Sequence, residues 1–193
     1  EFFQRLKDGL GELPLIAEDL GVITEEVRSL RDELGLPGMK ILQFAFDFNN
    51  RNEYLPHNFE NRNCVLYTGT HDNNTTNGWF YGHELDNEGR EYVMEYAGSI
   101  KFNDFHWQLI RLAYRSVANC VIIPAQDIMG YGAEFRMNMP GTAKGNWGWK
   151  LLPGAITPEM TSQLCRMAEM YNRVGKKRCE GNGESPDDAQ VRR

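Results

Sequence analysis

The chain has 193 residues, enough to bury roughly 70% of its unfolded surface in one sizeable core or two small ones. Lys plus Arg number 21 against 27 Asp plus Glu, and the formal charge of −6 sets nucleic acid and other polyphosphate partners aside. No run approaches the roughly 18 to 20 apolar residues of a membrane span, and the first residues lack the basic, apolar, small-residue order of a signal peptide. A cytoplasmic protein with no membrane partner is expected, any plastid-targeting segment lying upstream.

In chain order, Phe2, Phe3, Leu6 and Leu10 make an amphipathic opening that reads as the middle of a domain, so the chain is expected to be a fragment. A short apolar run at 15–17 ends in Glu18 and Asp19. Thr24 then reads as the cap of a helix with Glu25 and Glu26 in its first turn, an apolar stripe of Val27, Leu30 and Leu34, and "GLPG" as its stop. Further apolar runs follow at 40–46, 65–68 and 121–124. Helical patterns occupy 88–97 and 103–119, the second carrying Trp107, Leu109, Ile110, Leu112, Ala113 and Val117. The four runs are nearly continuous and not alternating, as in strands covered on both faces, and their alternation with helices predicts a parallel α/β sheet.

Beyond the fourth run lies a Gly-, Asn- and Trp-rich loop, "MPGTAKGNWGWKL", and then a helix over 158–171 capped by Thr157. From Lys176 the chain is polar and is expected to be disordered, which leaves 1–175 as the folded part. The cysteines at 64, 120, 165 and 179 have no close pairing. Cys64 and Cys120 each open an apolar run, which suggests buried free thiols instead of disulfides or zinc ligands. The histidines at 57, 71, 83 and 106 lack the spacing of a helical metal pair, so neither metal nor cofactor is expected.

Polar residues gather immediately after the runs. The first leads into Glu18 and Asp19, the third into "TGTHDNNT" with His71 and Asp72, and the fourth into "PAQDIMGYG" with Gln126 and Asp127. Parallel α/β folds carry their reactive groups at the carboxyl ends of strands. Any one acid there could be a turn former, and Asp19, close to a helix start, keeps that reading. Acids and aromatics without a metal or phosphate cradle suit glycosyl transfer, in which one protonated carboxyl serves the leaving oxygen while others face an oxocarbenium-like transition state. Trp79, Phe80, Tyr81, Trp147 and Trp149 stand near these loops and could be either sugar platforms or core, and the glycine-flanked "NWGW" favours an exposed platform.

Taken together and in order, "IAEDLGVIT", "GLPGMKILQFAFD", "YTGTHDNNT", "IIPAQD" and "NMPGTAKGNWGWKL" resemble the C-terminal half of the catalytic domain of 4-alpha-glucanotransferases, the amylomaltase or disproportionating-enzyme family. The likeness runs over roughly 5–175. It implies an α/β fold, about strands five to eight of a (β/α)8 TIM-type barrel of the alpha-amylase kind. The implied reaction is retaining transfer of alpha-1,4-glucan segments from a donor to a sugar acceptor, among maltooligosaccharides or glucans derived from starch or glycogen. By the same resemblance Glu18 of "AEDLG" is the general acid/base, which requires a pKa raised by burial beside other carboxylates. Asp72 of "THD" corresponds to the transition-state stabiliser with His71 beside it, Asn146 and Trp147 to sugar-binding positions, Phe44 to an aromatic near the centre, and Gln126 and Asp127 to orienting residues.

The resemblance has one gap. The family's nucleophilic aspartate, in an arginine- and histidine-flanked motif at the end of the fourth strand, has no counterpart here. Its partner is then expected to be the missing N-terminal half of the barrel, and the isolated fragment to be inactive, because no covalent glycosyl-enzyme can form. An alpha-glucan hydrolase of the alpha-amylase type would use similar carboxylates. A non-catalytic carbohydrate-binding fragment would fit the missing nucleophile.

Overall fold

Strands form at three of the apolar runs, β1 (Gly38–Ile41), β2 (Cys64–Tyr67) and β3 (Cys120–Ile122), but of the run at 40–46 only Lys40 and Ile41 are strand, the chain turning at Leu42–Phe44 into a 3-10 helix. They pair in parallel in the order β1-β2-β3, with Met39 opposite Val65 and Leu66 opposite Val121. The structure, a computed structural model, describes residues 2–11, 14–98 and 103–174. The polar tail from Lys176, with Cys179, lies outside the described residues.

The run at 15–17 was expected as a fourth strand and is not one. Pro14 has no N–H to give to a ladder, a single backbone bond joins the Ala17 N–H to the Pro37 carbonyl at 2.9 Å, and the next donor, the Met39 amide, goes to the Asp19 carboxylate. Leu15 and Ile16 are consequently exposed. Coverage on both faces holds for β2 alone, whose first three residues are buried. On β3, at the other end of the order, Cys120 is exposed, not the buried thiol expected, whereas Cys64 on β2 is buried, and both are free.

Among the described residues there are seven α-helices: α1 (Phe2–Leu10), α2 (Glu25–Glu33), α3 (Thr76–Tyr81), α4 (Asn87–Ala97), α5 (Phe105–Tyr114), α6 (Ala125–Ile128) and α7 (Pro158–Met170). Their starts follow local chemistry. Thr75 Oγ1 accepts the Gly78 N–H, Asp86 Oδ1 the Gly89 N–H, and Thr157 Oγ1 the Met160 N–H with Pro158 in the first turn. α2 begins after Thr24 as expected, with Glu25 and Glu26 at its positive end and Arg31 at its negative end. Its stripe is another matter, since Val27 and Leu30 stay about half exposed among the described residues.

The core lies between the sheet and α3, α4 and α5. Leu42, Phe46, Leu55, Leu66, Val93 and Leu109 are buried in it, and Phe80 stacks on Phe105 with ring centroids 3.7 Å apart. Trp79 and Phe80, two of the aromatics that could have faced a sugar, belong to this core. Among the described residues, no helix is long and apolar enough to cross a membrane.

α5 was expected to continue to Asn119 but stops at Tyr114, where Arg173, just after α7, takes over its end. The guanidinium donates to the carbonyls of Tyr114 (Nε, 2.6 Å), Ala118 (Nη1, 2.9 Å) and Ser116 (Nη2, 2.8 Å), satisfying acceptors a helix terminus leaves open. Replacing Arg173 with Ala is expected to lower stability by about 2 kcal/mol in urea titrations, and Lys to recover only part of it, lacking the planar fork. A second prediction concerns His106, buried on α5, where burial holds its pKa below the ordinary value. The unfolded chain takes up that proton near pH ~6.5 while the folded one resists it. Stability from this group is therefore complete above that pH and is lost as the pH falls from there through the lowered folded value. In urea titrations over this range, His106→Gln should flatten the slope.

Candidate functional site

Immediately beyond β2 the chain turns through Thr68, Gly69 and Thr70, and this turn is fixed from two sides. Gln43, just past β1, donates from Nε2 to the Asn74 carbonyl at 2.8 Å, and a Cβ on residue 69 would come within 2.6 Å of that same nitrogen and push this bond aside. Within the turn Asn73 Oδ1 accepts both the Thr70 N–H and its hydroxyl at 2.9 Å. From the side of β3 comes Asp127, only 1% exposed. Its Oδ2 accepts the Thr68 hydroxyl at 2.5 Å and its Oδ1 the Thr76 N–H at 2.7 Å. Burial pushes the Asp127 carboxyl above its usual range, and the two bonds only partly oppose this.

A second loop docks on the turn. The Asn138 N–H donates to the His71 carbonyl at 3.0 Å, Asn138 Nδ2 to Asp72 Oδ1 at 2.6 Å, and Arg136 Nη2 to the Asp72 carbonyl at 2.6 Å. Arg136 also donates from Nε to the Asn138 carbonyl at 2.8 Å and faces Glu84 at 3.8 Å, and Glu84 in turn accepts from Asn74. One guanidinium thus ties together the turn after β2, the segment after α3 and the docking loop.

The loop closes on itself through Asn146. Its Oδ1 accepts the Met139 N–H at 2.9 Å, and its Nδ2 donates to the Thr142 carbonyl and hydroxyl. Trp147 follows with φ of 60°, a left-handed conformation that costs a non-glycine residue about 1 to 2 kcal/mol, and its N–H donates to the Met137 carbonyl at 2.8 Å. The result is an indole 60% exposed whose ring lies 5.0 Å from that of His71. His71 Nε2 is 3.4 Å from Asp72 Oδ1, and both side chains are about half exposed. Between the loops lies a cleft of about 160 Å³ lined by Thr70, His71, Asn74, Gln126, Arg136 and Trp147. Gln126, buried, donates to the Phe135 carbonyl at 3.3 Å.

His71, Gln126, Asp127 and Trp147 line one cleft, while Asp72 and Asn146 do not line it and are the chain neighbours of His71 and Trp147. Glu18 and Phe44 do not line it. Glu18 is exposed, its Oε1 accepting the Leu20 N–H at 2.8 Å, so the burial its expected role needs is not supplied by the described residues. Phe44 is 44% exposed and meets the Tyr54 ring edge-on at 5.6 Å. Sequence reading missed Gln43, Arg136 and Asn138, for which the only local signal was a lone arginine ahead of "NMPG".

Fold and site together define an α/β domain with its polar loops collected at the carboxyl edge of a parallel sheet. The profile of the 4-alpha-glucanotransferase family, glycoside hydrolase family 77, matches residues 1–156, and the chain belongs to that family. A 4-alpha-glucanotransferase from Synechocystis is 51% identical over 174 residues, 90% of this chain and 34% of that protein. One from Thermus thermophilus is 46% identical over 179 residues, 90% of this chain and 36% of that protein. An amylomaltase from Streptococcus agalactiae, solved in complex with acarbose, superposes with a TM-score of 0.83 at 36% identity over 90% of this chain and 34% of that one. The chain spans about a third of the length of the relatives it matches.

The docking loop provides the test of this geometry. Arg136→Met is expected to speed hydrogen exchange at the Asn138 and Trp147 amides about tenfold, equivalent to one charge-assisted hydrogen bond of about 1.5 kcal/mol, and to leave the β2 amides unchanged.

Proposed function

We propose that this chain supplies the acid/base and sugar-binding part of a retaining 4-alpha-glucanotransferase, as the C-terminal half, about strands five to eight, of a (β/α)8 barrel. The observation that carries the reading is the docking of the 136–147 loop on the His71–Asp72 turn, which sets an exposed indole beside the His71 ring, itself next to the Asp72 carboxylate, beyond the carboxyl end of β2. An apolar ring face next to hydrogen-bonding groups suits a pyranose.

In this reading Asp72 and His71 bind hydroxyls of the distorted donor sugar, and Asn138 keeps the Asp72 carboxylate aimed. Trp147 offers the platform, Asn146 shapes the loop that presents it, and Gln126 lines the wall. Asp127 orients the turn from behind, and Phe44 stands on the rim. A carboxylate from the rest of the barrel attacks the donor C1 while Glu18 gives its proton to the departing glycosidic oxygen. In the second half an acceptor hydroxyl loses its proton to Glu18 as its oxygen attacks C1 and the carboxylate leaves. The exposed Leu15, Ile16, Val27 and Leu30 suit burial under that other half, which would also bring Glu18 into the less polar surroundings its role requires.

The test joins this chain to the upstream part of the Synechocystis relative and chromatographs its products from maltotriose. Glucose plus a ladder of longer maltooligosaccharides, lost with Glu18→Gln, is the expected result, while the chain alone makes nothing. Glucose and maltose without a ladder would identify a hydrolase. A folded but inactive chimera would favour a carbohydrate-binding role.

A further inference from the structure

The Asp19 side chain is 8% exposed, and a carboxylate that deep needs a partner for each oxygen. It has both. Arg31 Nη1 donates to Oδ2 at 2.5 Å, and the Met39 N–H donates to Oδ1 at 2.7 Å. Arg31 is held in turn, its Nε donating to Asp32 Oδ1 at 2.8 Å. A Cβ at residue 38 would come within 2.3 Å of Asp19 Oδ2 and would displace the carboxylate from this position. On the other side of Glu18, the Ala17 N–H is bonded to the Pro37 carbonyl.

Both chain neighbours of Glu18 are thus fastened to the entry of β1, one through backbone and one through a buried carboxylate, while Glu18 itself stays exposed. We propose that Asp19, clamped by Arg31 and the Met39 amide, is a positioning residue that sets where the Glu18 carboxyl can reach. The inference rests on Glu18 being the acid/base. A proton donor must lie within hydrogen-bond reach of the leaving oxygen, and a displacement of about 1 Å can cost around 10²-fold in rate.

The experiment uses the same chimera with two reactions. Transfer from maltotriose needs Glu18 as acid and then as base. The reaction of alpha-maltotriosyl fluoride with azide needs neither, because fluoride leaves unprotonated and azide attacks without losing a proton. Asp19→Asn keeps an acceptor for Met39 but loses the ion pair. It is expected to lower kcat on maltotriose about 10- to 100-fold with KM little changed, and to leave the fluoride-azide rate near that of the unmodified chimera. Arg31→Lys retains a charge without the fork and should fall between the two, which decides the matter if Asp19→Asn does not fold. Equal losses in both reactions, or no loss in either, would overturn the positioning role while the unmodified chimera remains active. In the same chimera, Glu18→Gln that lowered both reactions alike, or neither, would instead bring down the acid/base reading and this inference with it.

Discussion

Burying a carboxylate is unfavourable unless each oxygen meets a donor, and Asp127 meets that condition at the seam between two strands. Thr68 follows β2, Asp127 follows β3, and Thr76 opens α3, so the carboxylate joins both ends of the turn after β2 to a segment more than fifty residues further along the chain. Once Thr76 is fixed, α3 turns Trp79 and Phe80 inward, where Phe80 stacks on Phe105 of α5. The turn between Thr68 and Thr75 is then supported from below and can present polar side chains outward. Removing the carboxylate would free the Thr68 hydroxyl and the Thr76 amide together, in a place where water is scarce.

Above that support, the cleft is assembled by hydrogen bonds to backbone more than by apolar packing. Arg136 and Asn138 hold the His71–Asp72 turn, and Asn146 closes the loop that carries Trp147. Such loops can vary in shape while the sheet beneath keeps its register, which is how α/β folds pair a rigid scaffold with adjustable binding groups. The segment carrying Glu18 is fastened differently, by one partly buried ion pair and two bonds at the entry to β1.

Much of this could be read residue by residue. Nearly continuous apolar runs at 40–46, 65–68 and 121–124 marked where the strands lie, though not their ends, and Thr24, Thr157 and the acids after Thr24 foretold two helix starts, because period and capping are local properties. The polar residues after the runs marked the edge where the cleft forms. Other features could not be read this way. The run at 15–17 looks like a strand, yet a side chain twenty residues from Met39 takes the ladder donor. α5 ends early because Arg173 reaches it from beyond α7. Trp79 and Trp147 are the same residue type beside similar loops, and only packing sends one into the core and the other into solvent.

Hydrophobic period, capping residues and turn formers act over a few residues, and the sequence by itself therefore determined most of the helices and three strand positions, the parallel α/β class, the family resemblance and the edge on which the polar groups collect. Which donor meets which acceptor across fifty residues depends on how the chain closes on itself. Only the tertiary structure decided that Asp127 is a buried support, that Arg136 and Asn138 hold Asp72, and that Asp19 is clamped by Arg31 and not used as a helix cap.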